Sequence, residues 1–264
     1  MPKIVGLEGK IIKDSRGDET VGAVLRLKSG EVVSSSVPRG KSTGSYEAVS
    51  LPAEAARSSI ERAIAPAIVG RDARECERID KFLIELDGTE KKEKLGANAI
   101  LAVSIAVSRA AAEMERVPLW RHIRTRGGFD APRDYTPLFL VNLINGGAHA
   151  ENNLSFQEYI VIPEAKEAKE SARAARELHG ALREYFKERG IDAPYGDEGG
   201  FAPDLADDKE PFAVLSEIAG KMEMKFRFGL DAAANEVRKK EWELTPLYRA
   251  VIKEYRLAYL EDPY

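Results

Sequence analysis

The alternation of apolar runs with helical stretches in the second half of the chain most constrains the fold. The segments LFLVNLINGG, FQEYIVIP, FRFGLDAA and LAYLEDPY are apolar runs bounded by turn residues, a pattern typical of strands that are buried on both faces. Helical patterns occur near residues 164–189, 210–222 and 246–255. Strands that alternate with helices predict an α/β fold with a parallel sheet or a barrel in this half.

The first part of the chain has a different pattern. Its first forty residues are rich in strand formers, and TVGAVLRLKSGEVVSSSV predicts a hairpin with a Ser-Gly turn. From Ala53 the pattern is helical, and NAILAVSIAVSRAAAEME is apolar nearly all round, which predicts a helix buried between other elements. The segment 124–137 collects glycine, proline and charge, as linkers do. We therefore predict two domains, residues 1–126 and 137–264.

Composition argues against several classes of function. With 40 basic and 44 acidic residues the formal net charge is -4, which leaves no basic footprint for nucleic acid. The single cysteine, Cys76, rules out a disulfide within these residues or a cysteine metal cluster, and we expect it to be an ordinary helix residue. The N-terminus lacks the apolar run of a signal peptide, and no stretch approaches the ~20 apolar residues of a membrane span. We expect a cytoplasmic protein without nucleic-acid or membrane partners.

Polar side chains flank the apolar runs of the second half. These are His149, Gln157, Glu158, Glu198, Asp231 and Glu261. In parallel α/β folds and barrels, ligands bind at the carboxyl ends of the strands. Carboxylates that converge there repel one another, and a set of oxygen ligands favours Mg²⁺. Asp231 and Glu261 form the best pair, because each directly follows an apolar run. The residues alone leave open a helix N-cap for Asp231, a surface position for Glu261 and an ordinary loop position for His149.

The segment VPRGKSTGSYEA has a Gly-Lys-Ser-Thr core like that of nucleotide-binding loops. Such a loop needs a glycine five positions before the Gly-Lys pair, and this chain has Ser35 there. Pro38 and Arg39 also stand where a phosphate-binding backbone should be most pliable. We therefore expect a different role for this segment, with a nucleotide site as the alternative.

Eight segments, in the same order along the chain, resemble the enolase family. They are DSRG, STGSYEA, KLGANAILAVSIAVSRAAA, NLINGGAHA, QEYIVIP, GDEGGFAP, GLDAAANE and LEDP. The resemblance implies a small N-terminal α+β domain that caps a barrel, followed by the first half of an enolase-type TIM-like βα barrel. That barrel opens with two strands and two helices before strands and helices alternate. The resemblance also implies a homodimer, with Arg16 of DSRG at the dimer contact.

The resemblance further implies a carbon–oxygen lyase, phosphopyruvate hydratase, which acts in glycolysis and gluconeogenesis. Enzymes of this kind reversibly dehydrate 2-phosphoglycerate to phosphoenolpyruvate with Mg²⁺. By resemblance, Glu198, with Glu158 nearby, assists the departing hydroxyl as a general acid. His149, Gln157 and Glu158 are expected to line the substrate pocket.

The resemblance also assigns the metal ligands. Asp231 and Glu261 are expected to hold one Mg²⁺, and Ser42, in a mobile lid, is expected to reach a second. Arg39 and Lys41 stand where the family usually has small residues. These cations either steer an anionic substrate or compete with the second metal, and the sequence leaves both open.

Length is the largest departure from the family. An eight-stranded βα barrel takes ~250 residues, and residues 137–264 are about half of that length. Nothing in the chain resembles the barrel half that brings the lysine base, the third acidic Mg²⁺ ligand and further substrate contacts. We therefore expect the isolated chain to be inactive. Three explanations stay open: a fragment of a longer enolase, one half of an enzyme that a second polypeptide completes, or a truncated paralogue with a binding or structural role.

Overall fold

The computed structural model describes residues 2–40, 44, 46–129, 137–196, 198–237 and 239–264. The chain divides into two compact units, Met1–Ala131 and Pro132–Tyr264. Each unit has a hydrophobic core of its own.

The first unit begins with an antiparallel sheet. Its strands β1 (Ile4–Lys13), β2 (Glu19–Leu27) and β3 (Val32–Ser36) pair in the order β1-β2-β3. The predicted hairpin is confirmed as β2 and β3. Gly30 lies in its turn with φ +107°, a left-handed conformation that glycine adopts without steric cost.

Helices cover this sheet. They are α1 (Ala53–Ser59), which continues through a π-helical turn (Ile60–Ile64) into α2 (Ala65–Ile68), then α3 (Cys76–Asp87), α4 (Ala97–Glu115) and α5 (Leu119–Arg126). As predicted, α4 is a buried helix, and its small residues pack against β2 and β3. The expectation that no segment has the length and composition of a membrane span is wrong for α4, which meets those two criteria, although half of its apolar window is buried in this unit.

Cys76, the single cysteine, and His122 are both buried in this unit. Cys76 is the first residue of α3 and is buried. Its Sγ lies 3.7 Å from Nε2 of His122 on α5, whose Nδ1 is 2.8 Å from Oε2 of Glu115. These contacts join the ends of three helices. The linker predicted at 124–137 begins inside α5, and residues 130–136 lie outside the described residues.

The second unit contains the elements predicted from the apolar and helical patterns. They are β4 (Val141–Asn145), β5 (Glu158–Pro163), α6 (Ala168–Glu188), α7 (Glu210–Ala219), β6 (Phe226–Asp231), α8 (Glu241–Tyr255) and β7 (Tyr259–Glu261). Helix α8 begins five residues before the predicted start at Pro246, and its first turn is closed by Glu243, whose Oε2 accepts a hydrogen bond from the backbone N–H of Lys240 (2.9 Å).

The strand directions correct the prediction of a parallel sheet. The order is β4-β5-β6-β7, and β5 is antiparallel to both of its neighbours, whereas β6 and β7 are parallel. A parallel connection needs a crossover, usually a helix, and between β4 and β5 the chain has only a 3₁₀ turn at Gly147–His149. Two strands and two helices precede the βα alternation, which is the order that the resemblance implied.

Candidate active site

The register of the second sheet brings four polar side chains into one row. Asn145 pairs with Glu158, Glu158 pairs with Asp231, and Asp231 pairs with Glu261. Because β5 runs against its neighbours, its first residue lies level with their last residues. Directly opposed residues project to the same face of a sheet, so the three carboxylates lie side by side.

Asp231 is held by two hydrogen bonds at the end of β6. The backbone N–H of Ala233 donates to Oδ1 (3.1 Å), and Nε2 of Gln157 donates to Oδ2 (2.9 Å). Burial raises the pKa of Asp231 to about 6, and the neighbouring Glu261 carboxylate adds to the rise. On β7, the hydroxyl of Tyr259 donates to Oε2 of Glu261. Both carboxylates therefore have fixed positions.

A second cluster, His149, Glu158 and Glu198, lies at the same edge. Nδ1 of His149 is 3.3 Å from Oε2 of Glu198 and 3.9 Å from Oε1 of Glu158. Nδ2 of Asn142 donates to Oε2 of Glu198 (3.2 Å). The three residues offer one nitrogen and two oxygens that all lie within 4.8 Å of one another.

The pKa values of the two glutamates in this cluster are shifted in opposite directions. Burial, followed by the hydrogen bond with Glu198 and its negative charge, raises the pKa of Glu158 to about 8. Burial works to raise the pKa of Glu198 as well, but the hydrogen bond with Glu158 and the nearby His149 outweigh it and lower that pKa below its usual value. The side chain of Glu158 is 19% exposed and that of Glu198 is 38% exposed. The more buried member therefore holds the proton, since ionisation costs most where water is excluded.

The glycines of the GDEGG turn are required by Asn145. A Cβ on Gly196 would come within 2.8 Å of the Asn145 side chain, and a Cβ on Gly200 would overlap its Oδ1. Gly199 has φ +82°. Glycine at these positions thus lets the turn that carries Glu198 close over β4.

Strand β4 contains an irregularity that matters for the site. The pairing with β5 shifts between Asn142 and Ile144, so that Asn142 opposes Ile160 and Asn145 opposes Glu158. In a regular strand, residues three apart face opposite sides. The extra residue places both asparagines on one side, where the Oδ1 atoms of both lie near Gly200.

Two family models match the chain. The first, described as enolase, N-terminal domain, matches residues 4–123, and the second, described as enolase, C-terminal TIM barrel domain, matches residues 134–244. The chain belongs to the enolase family. Enolase-family domains indicate a lyase, and the family is generally Mg²⁺-dependent. Glu261 lies beyond the matched residues, so its place in the site rests on the register of β7 with β6.

The residues of this enolase-family chain fit a Mg²⁺ site on physical grounds. Asp231 and Glu261 offer carboxylate oxygens, the ligands that Mg²⁺ prefers, and a bound cation would relieve the repulsion that raises the pKa of Asp231. Buried polar atoms without a hydrogen-bond partner surround the row within the described residues. They are Oδ1 of Asn142 and Asn145, Oε1 of Gln157 and Nε2 of His149. Such atoms are costly unless water or a ligand satisfies them.

Most of the residues predicted for an enolase site come together. His149, Glu158 and Glu198 form one cluster, and Gln157, Asp231 and Glu261 meet beside it. Ser42, predicted to reach a second Mg²⁺, lies outside the described residues, as does Lys41.

Sequence reasoning missed two residues of the site. Asn142 lies within the motif NLINGGAHA but was given no role, and Tyr259 was not considered for the site. The one signal for Asn142 is its place in a motif whose other asparagine, Asn145, is fully buried.

Proposed function

We propose that this chain forms the acid side of an enolase active site for the reversible, Mg²⁺-dependent dehydration of 2-phosphoglycerate to phosphoenolpyruvate. The observation that carries the proposal is the pairing of Glu158 with Glu198, in which one carboxyl has a raised pKa and the other a lowered pKa. Paired groups with opposite shifts are the arrangement that acid–base catalysis needs.

The reaction removes a proton from C2 and hydroxide from C3. The electron pair of the C2–H bond becomes the C2=C3 double bond while the C3–O bond breaks. By resemblance, a lysine takes the C2 proton, and it belongs to the barrel half that has no counterpart among these residues. When bound, Mg²⁺ supplies positive charge that makes the C2 proton more acidic.

The chain's own residues act on the leaving group. Hydroxide leaves poorly, so a proton must reach the C3 oxygen as the bond breaks. Glu158 holds a proton at neutral pH and passes it, directly or through Glu198, to the hydroxyl, which leaves as water. In the reverse direction the same pair takes the proton back. Nε2 of His149 and the side-chain oxygen Oε1 of Gln157 have no hydrogen-bond partner, which supports a role for both residues in binding the polar substrate.

The remaining parts of the proposal rest on the family. We propose that the protein works in the cytoplasm as a homodimer. The residues that complete the barrel come either from a longer form of this chain or from a second polypeptide. Asp231 and Glu261 hold the first Mg²⁺, and Ser42 reaches the second.

The test compares two preparations. Conversion of 2-phosphoglycerate to phosphoenolpyruvate is followed, with and without Mg²⁺, for the protein isolated from its source and for the 264-residue chain alone. We expect Mg²⁺-dependent turnover from the first and none from the second. In the active form, Glu198→Gln should lower kcat by a factor on the order of 10²–10⁴. The matched control is Glu177→Gln, because Glu177 is exposed on α6, where its carboxylate forms an ion pair with Arg173. Absence of conversion by the source protein would refute the proposal.

A further inference from the structure

The turn that carries Glu198 is closed at its base by a pair of aromatic residues. Tyr195 and Phe201 form an antiparallel bridge, and their rings lie 5.1 Å apart. Inside the bridge, the N–H of Gly196 donates to the carbonyl of Gly200 (2.8 Å). The turn is therefore a short loop whose two ends are fixed, with Glu198 near its tip.

Helix α6 reaches this turn through His179. The imidazole stacks on Phe201, with ring centroids 4.6 Å apart, and lies nearly parallel to Tyr195 at 5.9 Å. Its Nε2 is 3.3 Å from the carbonyl oxygen of Gly199. With the proton on Nε2, the ring donates a hydrogen bond to the peptide between Gly199 and Gly200, one peptide beyond the one that follows Glu198. One turn further along α6, a guanidinium N–H of Arg183 donates to the hydroxyl of Tyr195 (2.9 Å).

The hydrogen bond from His179 acts on a glycine whose N–H already donates to the carbonyl of Gly196 within the turn (3.1 Å). Gly199 has a positive φ, and glycine there has more conformational freedom than any other residue. A donor on its carbonyl holds the peptide plane between Gly199 and Gly200, and this limits the backbone positions that are open to Glu198, the residue before Gly199. Glu198 in turn contacts His149 on the far side of the site.

We propose that His179 is a positioning residue that holds Glu198 against His149 and Glu158. Its importance for turnover rests on the proposed function, but its effect on the Glu198–His149 contact does not. The imidazole ring of His179 stacks on Phe201, and its N–H donates the hydrogen bond to the carbonyl of Gly199. Phenylalanine at this position keeps only the stacking, and glutamine keeps only the donor.

The chain has three histidines, which makes the test direct. Histidine-selective ¹⁵N labelling gives ring signals from His122, His149 and His179 alone. Substitution of His179 removes its set of ring signals and so identifies it. Glu198→Gln then changes the environment of His149 and distinguishes its signals from those of His122. His122 lies in the first unit and serves as an internal reference.

In His179→Phe we expect the His149 signals to move in the direction that they take in Glu198→Gln, while the His122 signals stay in place. In His179→Gln they should stay closer to those of the wild type. The matched control Glu177→Gln, on the same helix, should leave both sets unchanged. Thermal unfolding of each variant checks that the second unit is folded. Unmoved His149 signals in a folded His179→Phe variant would overturn the proposal, and so would an equal displacement in the glutamine variant, since the hydrogen bond would then not be the cause.

Kinetics give a second readout. In the active form of the protein, His179→Phe should lower kcat by about tenfold or more with KM changed less than about twofold, because a displaced Glu198 affects the transition state more than substrate binding. An unchanged kcat would contradict the proposal. If the wild-type protein shows no turnover, the proposed function fails, and the signals of His149 still decide the role of His179.

Discussion

Glu158 and Asp231 stand directly opposite each other on the antiparallel strands β5 and β6. One begins its strand and the other ends its strand, so two carboxylates from opposite ends of strands share one position along the sheet. Both have raised pKa values, about 8 for Glu158 and about 6 for Asp231, with burial as the largest cause. This edge of the sheet is therefore costly to ionise unless a cation is present.

The cost of ionising these buried carboxyls predicts how the stability of the metal-free chain depends on pH. A carboxyl whose pKa is higher in the folded than in the unfolded state binds its proton more tightly when the chain is folded. Its contribution to the free energy of unfolding is therefore greatest below its ordinary pKa. That contribution is lost as the pH rises through the pKa of the folded state. For Glu158 the window runs from about 4.5 to about 8.

We expect the difference in free energy of unfolding between Glu158→Gln and wild type to grow in favour of the variant across this window. The expected gain is on the order of 2–4 kcal/mol, measured by urea unfolding in the presence of a chelator. A difference that does not vary with pH would show that Glu158 ionises as freely in the folded chain as in the unfolded one.

Mg²⁺ that binds to Asp231 should restore the stability that the metal-free chain loses at high pH. A ligand that binds only the folded state at 100 times its Kd stabilises by about 2.7 kcal/mol, so Mg²⁺ should raise the Tm of the wild-type chain at pH 8. Asp231→Asn should abolish the rise, because an amide is a weaker ligand for a hard cation. Asp192→Asn is the matched control, since Asp192 is exposed. An equal rise in Asp231→Asn would place the cation elsewhere.

The fit between Gly200 and Asn145 can be tested by substitution. Gly200→Ala pushes a methyl group into the Asn145 amide and should destabilise the second unit by about 1–3 kcal/mol. The double variant with Asn145→Ala should lose less than the sum of the two single variants, because the clash is then removed. Gly180→Ala is the control: Gly180 lies within α6 with open space around its Cβ position, and alanine there should stabilise by about 0.5–1 kcal/mol. Additive losses would mean that the turn yields without contact with Asn145.

Cys76 should report the unfolding of the first unit. Its side chain is 6% exposed, and burial raises the pKa of the thiol. Both effects suppress the thiolate, which is the reactive form. A thiol reagent should therefore react at a rate that tracks opening of this unit, and full reaction of one thiol should follow denaturation. Rapid reaction in the native chain would mean that the start of α3 opens readily.

The sequence predicted the elements of the fold better than their directions. The apolar runs located β4 to β7, because strands that are buried on both faces are continuous apolar runs without alternating polar residues. The same runs contain no information about the direction in which each strand runs, so β5 was wrongly expected to be parallel to its neighbours. Glu158 was nevertheless predicted to lie in the site, because the resemblance to enolase assigned it a role that the hydrophobic pattern alone could not indicate.

Contacts between distant segments were beyond the sequence. His179 lies 20 residues before Gly199, and this spacing gives no sign that the two meet. The opposite pKa shifts of Glu158 and Glu198 depend on burial that arises only when the turn closes over β4. Patterns indicate which residues are polar at the ends of strands, whereas the shape of the turn determines which of them touch.

The irregularity in β4 has a consequence for recognising relatives of this site in other sequences. Asn142 and Asn145 are separated by two residues, an odd spacing that a flat strand would split between the core and the opposite face. The spacing Asn-x-x-Asn followed by Gly-Gly therefore encodes the extra residue itself. In a relative that kept this odd spacing but lacked the extra residue, one asparagine would point away from the turn that carries Glu198.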